Sequence, residues 1–296
     1  MELDGDCTTT ETILIPDGFT FDGNGHTITA VDPDGSYFKG AVVTNEGSTA
    51  AVKDVHITTE DLSSCGSSND GGEDTRLRGI LFDGASGTIT RNNIIGLNRG
   101  ASGCQEGNAI EVRNGPFDGT HPNTQLVEIS HNQVSDYQKT GILANGDIDV
   151  SIHHNNVGAS ATQENLAANS IQLGYGALGT VMQNHIDGNQ WFGTSDFAAS
   201  AVLVYDADAV TVVKNDIRGN SDIGIFLVTD GATVDNNRVF DGGPDHPNSD
   251  YDVGVWSNGD NDVTKNKVRG FDEPYLGVEG GQNITIPGPQ PGNPSF

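Results

Sequence analysis

"GILFDGASGTITRNNIIGLN", Gly79 to Asn98, and "GILANGDIDVSIHHNNVGAS", Gly141 to Ser160, are two versions of one phrase. A small residue precedes a β-branched one, an alternating run follows, and a second short run ends in asparagine. The same start recurs at Ala109-Ile110, Ser170-Ile171, Ala201-Val202, Gly224-Ile225 and Gly254-Val255. Successive starts lie 30, 32, 29, 31, 23 and 30 residues apart. The second runs read "TITRNNI", "VEISHNQV", "VSIHHNNV", "TVMQNHI", "VTVVKNDI", "ATVDNNRV" and "DVTKNKV". Self-similarity at such a period marks a chain built from stacked units.

Each unit holds two or three short strands, and no apolar period of 3.6 residues is long enough for a helix. One unit cannot bury its Ile, Val, Leu and Ala alone. Stacked units can, by adding parallel strands about 4.8 Å apart. The asparagine closing each second run then lies over its equals, where its amide can satisfy backbone groups of the turn and the amide of the next rung. "ILIPDGFTFDGNGHTITA" and "GAVVTNEGSTAAVKDVHITTE" read as earlier, less regular turns of the same kind.

These repeats, with "DGNGHTIT" near the start, resemble the right-handed parallel β-helix family, the pectate-lyase-like superfold, over roughly residues 13 to 280. The resemblance implies an all-β, single-stranded right-handed parallel β-helix of about eight to ten rungs. It places residues 1–285 in one domain, with 1–40 as an N-terminal cap and first rungs. "IPGPQPGNPSF", Ile286 to Phe296, is a Pro/Gly-rich tail.

Composition narrows the function. Forty-one acidic residues against 14 basic ones give a net charge of −27, which excludes a basic footprint for nucleic acid. No run of 18 apolar residues is present, so no membrane-inserted helix is expected. The start, "MELDGDCTTT", has neither a basic nor an apolar signal segment, and reads as the beginning of a mature extracellular domain, secreted or at the cell surface. The three cysteines, Cys7, Cys65 and Cys104, fit no zinc spacing. They read either as three buried thiols or as one disulfide with a free thiol, Cys65–Cys104 being the favoured pair.

Alternation assigns faces. Counted from the small residue, the first and third following residues point in and the second and fourth point out. The outward positions carry Leu81, Glu111, Leu143, Gln172, Leu203, Phe226 and Trp256, and beside them Asp83, Arg113, Asn145, Gly174, Tyr205, Val228 and Asn258. Tyr175 and Asp206 follow one place later. Stacking makes a strip of carboxylate, guanidinium, amide and phenol around a dent at Gly174. Planar polar groups and aromatic faces suit a polysaccharide or oligosaccharide. Long third turns, carrying Glu106, Trp191 and Asp196, would supply an outer wall.

For a uronate polymer, β-elimination or C5-epimerisation needs a cation on the carboxylate, a base and an acid. Arg113 is the expected neutraliser and Tyr205 or Lys139 the proton-transfer group. Glu111, Asn145 and Gln172, with Asp83, Tyr175, Asp206 and Trp191, are the expected substrate contacts. A glycoside hydrolase would instead pair Glu111 with Asp83 or Asp206. A non-catalytic glycan-binding or adhesin-like module is the alternative, because the strong negative charge opposes a polyanionic ligand unless calcium or salt screens it. "SSNDGGED" (Asp70, Glu73, Asp74) and "PDHPNSDYD" (Asp245, Asp250, Asp252) are oxygen-rich enough to suggest calcium, without EF-hand spacing. His153 and His154, adjacent in one run, are expected on opposite faces. The motifs of polygalacturonase-like hydrolases ("NTD", "DD", "GHG", "RIK") do not occur, and "LGYGALG" lacks the Asp-Pro-His that follows Tyr-Gly-Phe in alginate-type epimerases.

Overall fold

The computed structural model describes residues 1–63, 69–70, 73–100, 103–115, 121–161, 166–193, 197–243 and 251–287. Its short alternating runs form strands, and there is no helix among the described residues. Three parallel sheets of 11, 10 and 9 strands wind around one core. The chain is a right-handed parallel β-helix. Ile13–Ile15 and Ala41–Asn45 pair with each other and then with Arg78–Asp83, so the irregular early turns belong to the same coil.

The ten-stranded sheet carries the repeated starts. Ile80, Ile110, Ile142, Ile171, Val202, Ile225 and Val255 stack in register and are fully buried. Burying each contributes about 1.5–3 kcal/mol. The small residue before them is imposed by a corner. A Cβ on Gly141 would stand 2.6 Å from the Ser170 carbonyl oxygen and 2.8 Å from Val157 Cγ1, on the eleven-stranded sheet. Only a residue with little or no side chain lets the two sheets meet there.

At a second corner, between the nine- and eleven-stranded sheets, the asparagines form a continuous buried ladder. Nδ2 of Asn92, Asn132, Asn155, Asn184, Asn215, Asn237 and Asn266 donates to Oδ1 of the next, from Asn132 through Asn283, at 2.9–3.2 Å. That same Oδ1 accepts the backbone N–H of the residue below it, as in Asn155 N–H to Asn184 Oδ1 at 2.9 Å. The remaining amide hydrogen reaches a carbonyl one strand back, as in Asn184 Nδ2 to the Ile152 carbonyl at 3.0 Å. The turn is made by the residue before each asparagine. Arg91, His131, His154, Gln183, Lys214, Asn236 and Lys265 all adopt φ of 54–58°.

That turn corrects the placement of the paired histidines. His154 occupies the left-handed corner, so both rings lie outside the coil, with Nδ1 atoms 2.9 Å apart. His131 stacks on His154 from the neighbouring rung, with centroids at 5.2 Å.

Candidate functional site

The outward columns align as the alternation requires. Asp83, Arg113, Asn145, Gly174 and Tyr205 are successive partners, as are Leu81, Glu111, Leu143, Gln172 and Leu203. Over them lies a groove of about 480 Å³. Leu143, Asn145, Gln172 and Leu203 lie along it, Arg76 and Arg113 stand at one end, and Tyr175 and Tyr205 at the other. Gln105, Asn108, Gly115, Lys139, Thr140 and Asn169 complete its lining. The dent expected at Gly174 is largely filled by its neighbours. A Cβ there would sit 3.0 Å from the Tyr205 carbonyl oxygen and 3.2 Å from Asn145 Oδ1. The Tyr175 and Tyr205 rings meet edge-on at 5.5 Å and are 51% and 41% exposed.

The charged end is a closed network. Asp74 Oδ2 accepts from Arg76 Nη2 at 2.7 Å, Arg78 Nη2 at 2.6 Å and Arg113 Nη1 at 2.6 Å. Arg113 Nη2 donates to Asp83 Oδ2 at 2.8 Å. Glu111 Oε2 accepts from Arg78 Nε at 2.6 Å and Asn108 Nδ2 at 2.7 Å, while its Oε1 lies 3.5 Å from Arg113 Nη1. Arg78 and Glu111 are 1% and 2% exposed. Burial alone would raise both carboxyls. The guanidiniums outweigh it, Arg78 foremost among charges at Glu111, and hold Asp74 and Glu111 well below the usual carboxylate range. Burial would lower Arg113, and Asp83, Glu111 and Asp74 overcome it and raise it.

This geometry redistributes the expected roles. Glu111 points away from the core but is sealed under the network, out of reach of a ligand in the groove. Asp83 serves Arg113 and lies 3.4 Å from His121 Nε2. Asp206 occupies a left-handed turn (φ 47°), where its carbonyl accepts the Gly176 N–H, and it does not line the groove. Trp191 and Glu106 are not groove walls. Trp191 is 5% exposed, packs edge-on to Phe197 and donates its backbone N–H to Asp222. Glu106 is buried and binds the Leu77 N–H and Arg99. Asp74 serves guanidiniums, whose charge opposes a cation there. Asp252 accepts the Asp272 N–H. The side chains of Asp70 and Glu73, and residues Asp196, Asp245 and Asp250, lie outside the described residues. Among the described residues no group of three or more His, Cys, Asp or Glu side chains is arranged to hold a metal ion. Cys104 is disulfide-bonded and Cys7 is free and exposed, while Cys65 lies outside the described residues.

Sequence reasoning missed a third column. Arg78 pairs with Asn108, and Thr140 with Asn169 and then Ser200. These residues stand just before the small corner residue, where the count began. Three of the groove's buried polar atoms have no hydrogen-bond partner among the described residues: Asn108 Oδ1, Thr140 Oγ1 and Asn145 Oδ1. Lys139 is partly covered and donates to the Ala167 carbonyl. Burial pushes it down to about 8.

Fold and groove together define a right-handed parallel β-helix with a polar and aromatic groove on its ten-stranded sheet. No protein-family profile matches the chain, and no curated protein matches it. Among solved structures it is similar to the crystal structure of the Dettilon tailspike protein, with a TM-score of 0.51 and 14% identity. The match covers 95% of this chain and 54% of that one. At this identity the likeness speaks for the fold.

Proposed function

We propose that this β-helix engages a polysaccharide strand in the groove between the Arg76–Arg113 end and the Tyr175–Tyr205 pair. One observation carries the reading: Asn108 Oδ1, Thr140 Oγ1 and Asn145 Oδ1 are buried, unpartnered among the described residues and gathered on one groove. An unmatched buried polar atom costs about 1–3 kcal/mol. A hydroxyl-rich ligand supplies the missing donors, and the tyrosine rings offer faces for its C–H surfaces. An extracellular location suits a chain with a disulfide at Cys104.

For chemistry, the groove favours proton transfer over hydrolysis. A glycosidase needs two reachable carboxyls, and among the described residues no Asp or Glu lines the groove. Arg113 and Glu111 are committed to the buried network, which leaves Tyr205 as the exposed proton-transfer candidate for elimination or epimerisation of a uronate. The second reading is a non-catalytic glycan binder, favoured by that same commitment of Arg113 and Glu111. Incubation with a polysaccharide panel, with and without calcium, separates them. New absorbance near 235 nm (about where an unsaturated uronate absorbs) marks elimination, through the general acid–base chemistry above. Retention without turnover marks a binder, and no retention on any glycan overturns the proposal.

A further inference from the structure

The groove inverts the charge of the chain that makes it. Acidic residues outnumber basic ones 41 to 14 overall, yet the groove is lined by Arg76, Arg113 and Lys139 and, among the described residues, by no carboxylate. Arg76 and Arg113 are already paired with Asp74. Lys139 differs. Its ammonium donates to the Ala167 carbonyl, and no salt bridge joins it to an acid among the described residues. The other titratable and charged groups that share the groove with it are Arg76, Arg113, Tyr175 and Tyr205.

We infer that the groove selects an acidic glycan, and that the anionic group of one sugar residue is received by Lys139. The neighbouring unpartnered acceptors, Asn108 Oδ1, Thr140 Oγ1 and Asn145 Oδ1, take hydroxyls of the same or the adjoining residue. The inference rests on the polysaccharide reading and narrows it to a ligand class. A partly buried ammonium without a counterion is costly, and an incoming carboxylate or sulfate ester repays it with a charge-assisted hydrogen bond. The ligand's anion also keeps Lys139 protonated, so Lys139 acts as a positioning cation rather than as a base. The −27 charge of the chain then slows approach of an acidic polymer at low salt without opposing it at the groove itself.

The test is a glycan array carrying matched neutral, uronate-containing and sulfated oligosaccharides, probed with the intact protein, Lys139→Met and Lys139→Arg. The expected result is retention of acidic over neutral glycans by about 10- to 100-fold, the range of a hydrogen bond to a charged group. Lys139→Met lowers acidic retention to the neutral level or below with the circular dichroism spectrum unchanged, and Lys139→Arg restores most of the preference. Uronate and sulfate spots separate the two sources of anion. Acidic binding should also weaken as pH rises through the lysine's value in the complex, while neutral binding stays flat. Equal retention of neutral and acidic glycans, or a preference that survives Lys139→Met, overturns the inference and leaves the polysaccharide reading standing. No retention on any glycan overturns both.

Discussion

Two stacks of polar side chains run along this coil, and they treat their hydrogen bonds in opposite ways. At the corner between the nine- and eleven-stranded sheets the same residue returns on every rung, from Asn92 to Asn283. Each ladder amide fulfils the needs of the one before it. On the ten-stranded sheet the residue changes on every rung, from Asp83 to Arg113, Asn145, Gly174 and Tyr205. There the amide of Asn145 and the hydroxyl of Thr140 keep buried oxygens with no partner among the described residues. Identical groups at rung spacing can close on one another, and unlike groups cannot. Repetition therefore makes the frame, and departure from it leaves polar groups of the groove unmatched by their neighbours.

The largest effect should come from breaking the repeated stack in its middle. Asn184→Ala removes the acceptor of the Asn155 N–H and Nδ2 and the donor to the Ile152 carbonyl. Buried groups left without partners cost about 1–3 kcal/mol each, so a loss of roughly 3–6 kcal/mol is expected. Asn283→Ala, at the half-buried end of the ladder, should lose less than half of that. Urea unfolding of both variants checks the gradient. Equal losses would mean that the ladder is a row of separate caps and not a coupled stack.

A smaller loss, with a particular pH dependence, is expected where the groove sheet buries charge. Glu111→Gln leaves Arg78, 1% exposed, with Asp74 as its remaining anion. The cost should be about 3 kcal/mol at pH 7, at the low end for a broken buried pair because glutamine still accepts a hydrogen bond. Glu111 has a depressed folded value. Its contribution is thus fully present above the unfolded carboxyl value of about 4.3 and is lost as pH falls through the folded one. The gap between wild type and variant should be constant from about pH 7 to pH 5 and should narrow below about pH 4. Urea midpoints across that range measure it. A gap that stays constant down to pH 2.5 would show that Glu111 acts through shape and not through charge.

The contrast also explains what could be read from the chain alone. Period, core and ladder were legible because each rung repeats its solution, so "TITRNNI" and "VTVVKNDI" state the same corner twice. The register of Asp83, Arg113 and Asn145 followed from alternation. What the groove does with those residues did not follow, because it depends on groups brought in by irregular loops. Asp74 looked like a calcium ligand within "SSNDGGED" until Arg76, Arg78 and Arg113 closed on it. Glu111 looked available because alternation gives direction and not cover. Trp191 looked like a wall because nothing in a turn's sequence says which way its ring folds. The column of Arg78, Asn108, Thr140 and Asn169 sat one place before the small corner residue. A count begun at the last polar residue before each corner would have found it.

The smallest effect should appear at Gly174, where the two kinds of stack differ most. Gly174 is the one place in the Asp83–Tyr205 column without a side chain, and its neighbours already crowd it. A Cβ would meet Asn145 Oδ1 at 3.2 Å and the Tyr205 carbonyl oxygen at 3.0 Å. These contacts require shifts of a few tenths of an ångström, so Gly174→Ala should cost stability only about 1 kcal/mol. Its methyl occupies the space beside the unpartnered oxygen, so affinity for the best-retained glycan should fall about fivefold, near 1 kcal/mol. Tyr205→Ala removes an exposed ring worth a comparable amount through face contact, and does so without filling anything. Calorimetric titration of each variant and of the pair resolves the two contributions. If one sugar residue reaches the Asn145 oxygen beside Gly174 and lies against the ring at once, the double variant should lose less than the sum of the two, because a ligand pushed off that oxygen no longer rests on Tyr205. Strict additivity would separate the Asn145 oxygen from the aromatic end and divide the groove into two independent subsites.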